Sequence, residues 1–142
     1  MSHPRVSTAE AFELMQKDGY AYLDVRTVAE FDLGHVSGAF NVPVRIASDT
    51  GLQPNPDFLA VMTKNFAPNS KLVVGCQSGN RSQKAAQILV EAGYEHIVEH
   101  RSGWKGASDP FGRVTEMGWQ ASSLPTSTQA DAAHDYESLS TK

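Results

Sequence analysis

Short apolar blocks alternate with amphipathic ones along this chain, and glycine or proline separates most of them. Ser7, with Glu10 three residues on, forms a capping box and predicts a helix over Thr8–Lys17, ended by Gly19. Tyr20–Val25 is an apolar run of strand type. Thr27 with Glu30 is a second capping box and predicts a short helix over Val28–Leu33, closed by Gly34. Ala39–Val42 reads as a short strand stopped by Pro43, and Arg45–Pro54 reads as loop. Asn55-Pro56 reads as the N-cap and first residue of a helix reaching Asn65. Lys71–Gly75 has the unbroken apolar character of a buried strand. A helix over Arg81–Ala92 puts Ala85, Ile88, Leu89 and Ala92 on one face before Gly93 closes it, and His96–Glu99 reads as another strand. Strands alternating with helices predict an α/β fold, with a mainly parallel sheet of roughly four or five strands flanked by helices.

Beyond His100 the pattern weakens. Lys105–Gly118 mixes glycine, proline and charge, and reads as an ordered excursion with at most one turn of helix. From Ser122 the chain turns to Ser, Thr, Ala and Asp, the composition of a solvated tail. A domain over residues 1–125 and a flexible tail over 126–142 follow. Tyr136 and Leu139 are the slender support for a tail that docks.

Composition narrows the function. With 142 residues, the chain suits one domain with a real core. A net charge of −4 gives no general attraction for nucleic acid or acidic membranes, although a local nest of amides can still bind an anion. A single cysteine rules out an internal disulfide. No apolar run resembles a signal peptide or a spanning helix, so a reducing, cytoplasmic setting is the expectation.

That cysteine lies in Leu72-Val73-Val74-Gly75-Cys76-Gln77-Ser78-Gly79-Asn80-Arg81-Ser82. A buried strand ends at Cys76, a small polar loop follows, and a helix begins. In an open α/β sheet, ligands bind outside the carboxyl ends of the strands. Backbone N–H groups of such a loop, with a helix N-terminus behind, favour negative charge, and a thiol there is expected to ionise readily. A lone cysteine is by default a small buried hydrophobe. The polar, glycine-containing loop after Cys76 moves the reading to a reactive thiol, with Arg81 closing the anion cradle and Gln77 and Asn80 adding hydrogen bonds.

Three stretches resemble the rhodanese family. Asp24-Val25-Arg26, Glu30-Phe31 and Gly34-His35-Val36, with Gly38-Ala39 and Asn41-Val42-Pro43, resemble its N-terminal signature. Cys76 to Arg81, followed by Ser82, resembles its six-residue active-site loop. Ser102-Gly103-Trp104 stands where the family usually has a Gly-Gly pair. The resemblance implies a doubly wound α/β fold and sulfur transfer by double displacement through a persulfide. By position it implies Cys76 as nucleophile, and Gln77, Ser78, Gly79, Asn80, Arg81 and Ser82 as the substrate cradle. Asp24, Arg26, Glu30 and His35 match motif positions and are read as structural or loop-supporting.

Two departures stand out. Gln77 occupies the position where members suited to thiosulfate often carry a basic residue, so Arg81 is the loop's only charge and the donor stays open. Trp119 and Leu124-Pro125 look like family positions displaced by an insertion over 105–118, either a lid or subunit contact or a passive loop.

The expected activity moves a sulfane sulfur from thiosulfate or a persulfide to cyanide, a small thiol or a thiol carrier protein. No cofactor, metal, nucleic acid or membrane is expected, and the oligomeric state is left open. A cysteine-dependent phosphatase is the sharpest rival, but it has five residues between its cysteine and arginine, and four lie between Cys76 and Arg81. A non-catalytic regulatory or binding module of the same family is a second rival, opposed by the presence of Cys76. A metal site drawn from His96, His100, Asp109 and Glu116 fits no strong ligand spacing.

Overall fold

The computed structural model describes residues 3–141. Met1 and Ser2 of the expected domain and Lys142 of the expected tail lie outside the described residues. Strand β1 (Arg5–Val6) leads into α1 (Thr8–Lys17), and β2 (Ala21–Asp24) into α2 (Val28–Leu33). Both capping boxes form. Ser7 Oγ accepts the Glu10 N–H while the Glu10 carboxylate accepts the Ser7 N–H, and Thr27 and Glu30 repeat the arrangement. Each satisfies two helix-end donors that would otherwise be orphaned.

Short strands β3 (His35–Val36) and β4 (Phe40–Asn41) follow, then β5 (Arg45–Ser48), β6 (Gly51–Pro54) and α3 (Phe58–Asn65). Next come β7 (Lys71–Gly75), α4 (Asn80–Glu91) and β8 (His96–His100). The chain ends with β9 (Gly106–Ser108), β10 (Val114–Met117), β11 (Thr126–Ser127) and α5 (Tyr136–Ser140). The central sheet has five strands in the order β1-β8-β7-β2-β4, and every neighbouring pair is parallel. This is the α/β class that the alternation predicts.

Alternation along the central strands builds two cores. Leu72, Val74 and Leu23 face one layer with Phe58, Met62, Ala85 and Leu89 of α3 and α4. Val73 and Tyr22 face the other with Ala11 of α1, Phe31 of α2 and Trp119. Burial on both faces explains why β7 reads as an unbroken apolar run. β7 lies third in the sheet with a parallel neighbour on each side, so its carboxyl end opens at the middle of the sheet's rim.

Several expectations need correction. Arg45–Pro54 is not loop but an antiparallel hairpin, β5 with β6, exposed along its length. Its residues lack the apolar alternation that marks a strand because no face is buried. The insertion over 105–118 carries no helical turn. It forms a second hairpin, β9 with β10, in which Asp109 caps the turn by accepting N–H bonds from Phe111 and Arg113. α3 begins at Phe58 rather than Pro56, because Asn55 Oδ1 accepts the Asp57 N–H in a turn of its own.

The flexible tail is the largest correction. β11 pairs with β3, and α5 packs on α3 with Leu139 only 2% exposed in the main core. The Tyr136 hydroxyl accepts from Asn55 Nδ2 at 3.0 Å, and Asn65 Nδ2 donates to the Leu139 carbonyl at 2.9 Å. Composition misleads here because two apolar side chains, each with a specific recess, anchor a polar segment. Tyr136 and Leu139 are the docking residues, and the surface they dock on is their own domain.

Leu139→Ala should therefore lower unfolding free energy by about 2–5 kcal/mol, the usual range for a buried leucine truncation. Urea denaturation of the variant measures it. A midpoint equal to wild type would mean that the segment is solvated after all.

Candidate active site

β7 ends at Gly75, paired in register with Asp24 of β2, and the next residue is Cys76. The thiol is 2% exposed, set at the sheet's rim. The loop then folds back so that the Gly79 N–H points at Cys76 Sγ, with N···S 3.1 Å. Gly79 has φ +107°, and a Cβ there would stand 2.7 Å from the Arg101 carbonyl oxygen, so only glycine fits this bend. No side chain caps α4, which leaves the first-turn N–H groups behind the loop open to a negative charge. Ser82, buried in that first turn, has its Oγ 3.4 Å from the sulfur and is placed to accept the thiol proton.

The loop's carbonyls are held from outside. Trp104 N–H donates to the Cys76 carbonyl at 2.8 Å, and Lys105 N–H to the Gln77 carbonyl at 2.9 Å. Gly103 makes that approach possible. It has φ +64°, and a Cβ would collide with the Cys76 carbonyl oxygen.

Of the remaining sequence-predicted residues, Asp24, Arg26 and Glu30 form a brace beside the loop. Asp24 and Arg26 make a buried ion pair at 2.7 Å. Arg26 also donates to Gln77 Oε1 at 3.1 Å and to the Gly34 carbonyl at 2.7 Å, and lies over the Trp104 ring. Glu30 reaches from α2 to grip Arg81 through two hydrogen bonds, at 2.6 and 2.9 Å. That grip holds the Glu30 carboxyl down to about 2, with the Thr27 bonds helping against burial, and raises Arg81 above its ordinary value. Arg81 is therefore not a free charge aimed at the loop. Its charge is matched by the Glu30 carboxylate. His35 is buried, stacked on Phe31, with Nδ1 bonded to the Phe31 carbonyl at 2.8 Å.

A family model for the rhodanese-like domain matches residues 7–109. This chain belongs to the rhodanese-like family. It is 37% identical over 121 residues to thiosulfate sulfurtransferase 16, chloroplastic, of Arabidopsis thaliana, covering 85% of this chain and 90% of that protein. It is 34% identical over 128 residues to thiosulfate sulfurtransferase 18 of the same plant, covering 89% and 85%. The crystal structure of Rv0390 from M. tuberculosis superposes with a TM-score of 0.73 at 27% identity, over 90% of this chain and all of that one. A human single-domain sulfurtransferase superposes with a TM-score of 0.56 at 28% identity, over 72% and 93%.

The rhodanese-like domain also contains a buried polar network that the sequence reading did not assign to the site. Glu99 of β8 is fully buried, with one carboxylate oxygen 2.6 Å from Arg5 Nε and the other 2.6 Å from Ser82 Oγ. Below the loop, His100 is bonded to the Tyr22 hydroxyl at 2.6 Å and the Thr8 hydroxyl at 2.7 Å, with Ser102 at 3.1 Å. Burial, aided by Arg101, takes the His100 pKa down to about 4, so the ring is neutral in that network. The signal available in the sequence was charge where none belongs: Glu99 and His100 end a strand whose neighbours are apolar.

His96, His100, Asp109 and Glu116 are not brought together: His96 is exposed, His100 buried, Asp109 bound to Arg113 and Glu116 to Arg101. Among the described residues no cluster of three His, Cys, Asp or Glu could hold a metal. No helix there is long and apolar enough to cross a membrane. A cleft of about 310 Å³ borders the loop, lined by Val44, Arg45, Asn80, Arg81, Lys84 and Ile88 among others.

Glu30 should contribute to acid sensitivity. Its folded pKa lies below its ordinary 4.5, so its stabilisation is present above pH 4.5 and lost as pH falls toward 2. Glu30→Gln should thus be less stable than wild type at pH 6, and the gap should narrow between pH 4.5 and 3. Urea midpoints across that range measure it, and a constant gap would remove the ion pair as the cause.

Proposed function

We propose that this domain is a sulfurtransferase that carries a sulfane sulfur as a persulfide on Cys76. The observation behind this reading is the Gly79 N–H on Cys76 Sγ at 3.1 Å, at the uncapped start of α4, inside a loop with four residues between cysteine and arginine. Gln77 to Ser82 form the cradle, Asp24, Arg26 and Glu30 brace it, and His35 holds the end of α2 through Phe31. The Cys76 thiolate attacks the outer sulfur of thiosulfate. The S–S bond breaks, its electron pair leaves with sulfite, and the outer sulfur stays on Cys76 as a persulfide. Cyanide or a thiol, free or on a carrier protein, then attacks that sulfur, and the electron pair of the Cys–S bond returns to Sγ. Backbone donors cost no reorganisation during either step, so one loop serves both.

The relatives named as thiosulfate sulfurtransferases support the donor half of this reading. The cleft beside Arg45, Arg81 and Lys84 is cationic on a chain of net charge −4, which suits an anionic donor. The reading carries with it a reducing setting such as the cytoplasm, where a single thiol stays reduced.

Incubation with thiosulfate should raise the intact mass by one sulfur atom, and cyanide should return it. Cys76→Ser should fold and show neither change. A wild-type protein that gains no sulfur from thiosulfate or a small persulfide would favour a non-catalytic module. Arg81→Ala should change KM for thiosulfate by less than about threefold, because Glu30 already matches the Arg81 charge. A tenfold rise would show that Arg81 contacts the donor directly.

A further inference from the structure

The buried carboxylate of Glu99 has no part in the reaction described above, yet it is two hydrogen bonds from the sulfur. Ser82 has a single hydroxyl proton. Three acceptors surround it: Glu99 Oε2 at 2.6 Å, the Gly79 carbonyl at 3.1 Å and Cys76 Sγ at 3.4 Å. The shortest contact is also the charge-assisted one, because Glu99 forms an ion pair with Arg5 at 2.6 Å. The proton therefore lies toward Glu99, and a lone pair of Ser82 Oγ faces the sulfur.

We propose that Glu99 is a positioning residue for Cys76: by holding the Ser82 hydroxyl proton, it makes Ser82 a hydrogen-bond acceptor toward Sγ rather than a donor. This rests on the sulfurtransferase reading for its meaning, though not for its test. An acceptor at 3.4 Å favours the protonated thiol and opposes negative charge on Sγ itself. In a persulfide the charge sits on the outer sulfur, one bond further into the loop, where Ser82 does not oppose it. The network therefore tilts the site away from a bare thiolate and toward the loaded form.

The surrounding charges do not duplicate this effect. Asp24 and Tyr22 lie on β2, Arg26 just after it, Arg81 on α4, Arg5 on β1 and His3 in the segment before it. Among the described residues, the side chain that hydrogen-bonds Ser82 besides Cys76 is Glu99. Glu99→Gln preserves the shape and the Arg5 contact. Its amide can donate to Ser82 Oγ, which releases the hydroxyl proton to turn toward the sulfur.

The test follows the rate of Cys76 alkylation by iodoacetamide against pH in wild type, Glu99→Gln, Ser82→Ala and the double variant. Circular dichroism melts check folding. Glu99→Gln should move the midpoint down by about one pH unit, a tenfold gain in thiolate at fixed pH. In the Ser82→Ala background the same substitution should move it by less than half as much. A midpoint that is unchanged or raised in Glu99→Gln overturns the proposal. So does an equal shift in both backgrounds, which would mean that the charge acts through space. Should Glu99→Gln fail to fold, Ser82→Ala decides. A midpoint at or below wild type supports an accepting serine, and a raised one shows that Ser82 donates to the sulfur and overturns it. Alkylation needs no sulfur donor. Failure of the sulfurtransferase reading would appear separately, as an absent mass gain beside an intact alkylation profile.

Discussion

A loop can turn its N–H groups toward an anion only if its carbonyls are satisfied on the other side. Here that constraint is met by Trp104 and Lys105, whose backbone N–H groups hold the Cys76 and Gln77 carbonyls. The two bonds need the chain after β8 to pass within contact of the loop, and only a glycine at 103 allows that. Trp119 then donates its backbone N–H to the Gly103 carbonyl, and its indole to the Pro125 carbonyl. The loop's geometry is thus set by a relay of main-chain bonds that runs from the active site to the C-terminal segment. The hairpin β9–β10 is spliced between Trp104 and Trp119 without breaking that relay.

Much of this was legible in the sequence, and for identifiable reasons. The capping boxes at Ser7 and Thr27 were readable because both partners of each lie three residues apart. Strand β7 and the loop after it were readable because burial on two faces leaves no polar position from Leu72 to Gly75. What failed was whatever depended on distant partners. Composition gave no hint that Tyr136 would meet Asn55 or that Leu139 would reach the main core. The hairpin β5–β6 was missed because an exposed strand has no reason to alternate. Arg81 looked free because its partner, Glu30, lies on a different helix.

Charge near the thiol is neutralised in pairs. Asp24 faces Arg26, Glu30 faces Arg81, and Glu99 faces Arg5. Each pair ties neighbouring segments of the site together. Such pairing means that selectivity for negative charge in the loop falls mainly to fixed amide dipoles, which keep their direction whatever the pH. The Asp24–Arg26 pair, buried on both sides, is the kind that contributes little net stability and constrains geometry.

The Arg5–Glu99 pair joins residues 94 apart in the chain, across the parallel contact between the first strand and β8. Contacts that span so much sequence form late, because the loop they close must first be ordered around the rest of the sheet. β1 has two residues and sits at an edge, so it gains little until β8 is in place. Until it docks, Glu99 is a carboxylate without the Arg5 cation. The surroundings of the thiol are therefore complete only when β1, at the start of the chain, has paired with β8.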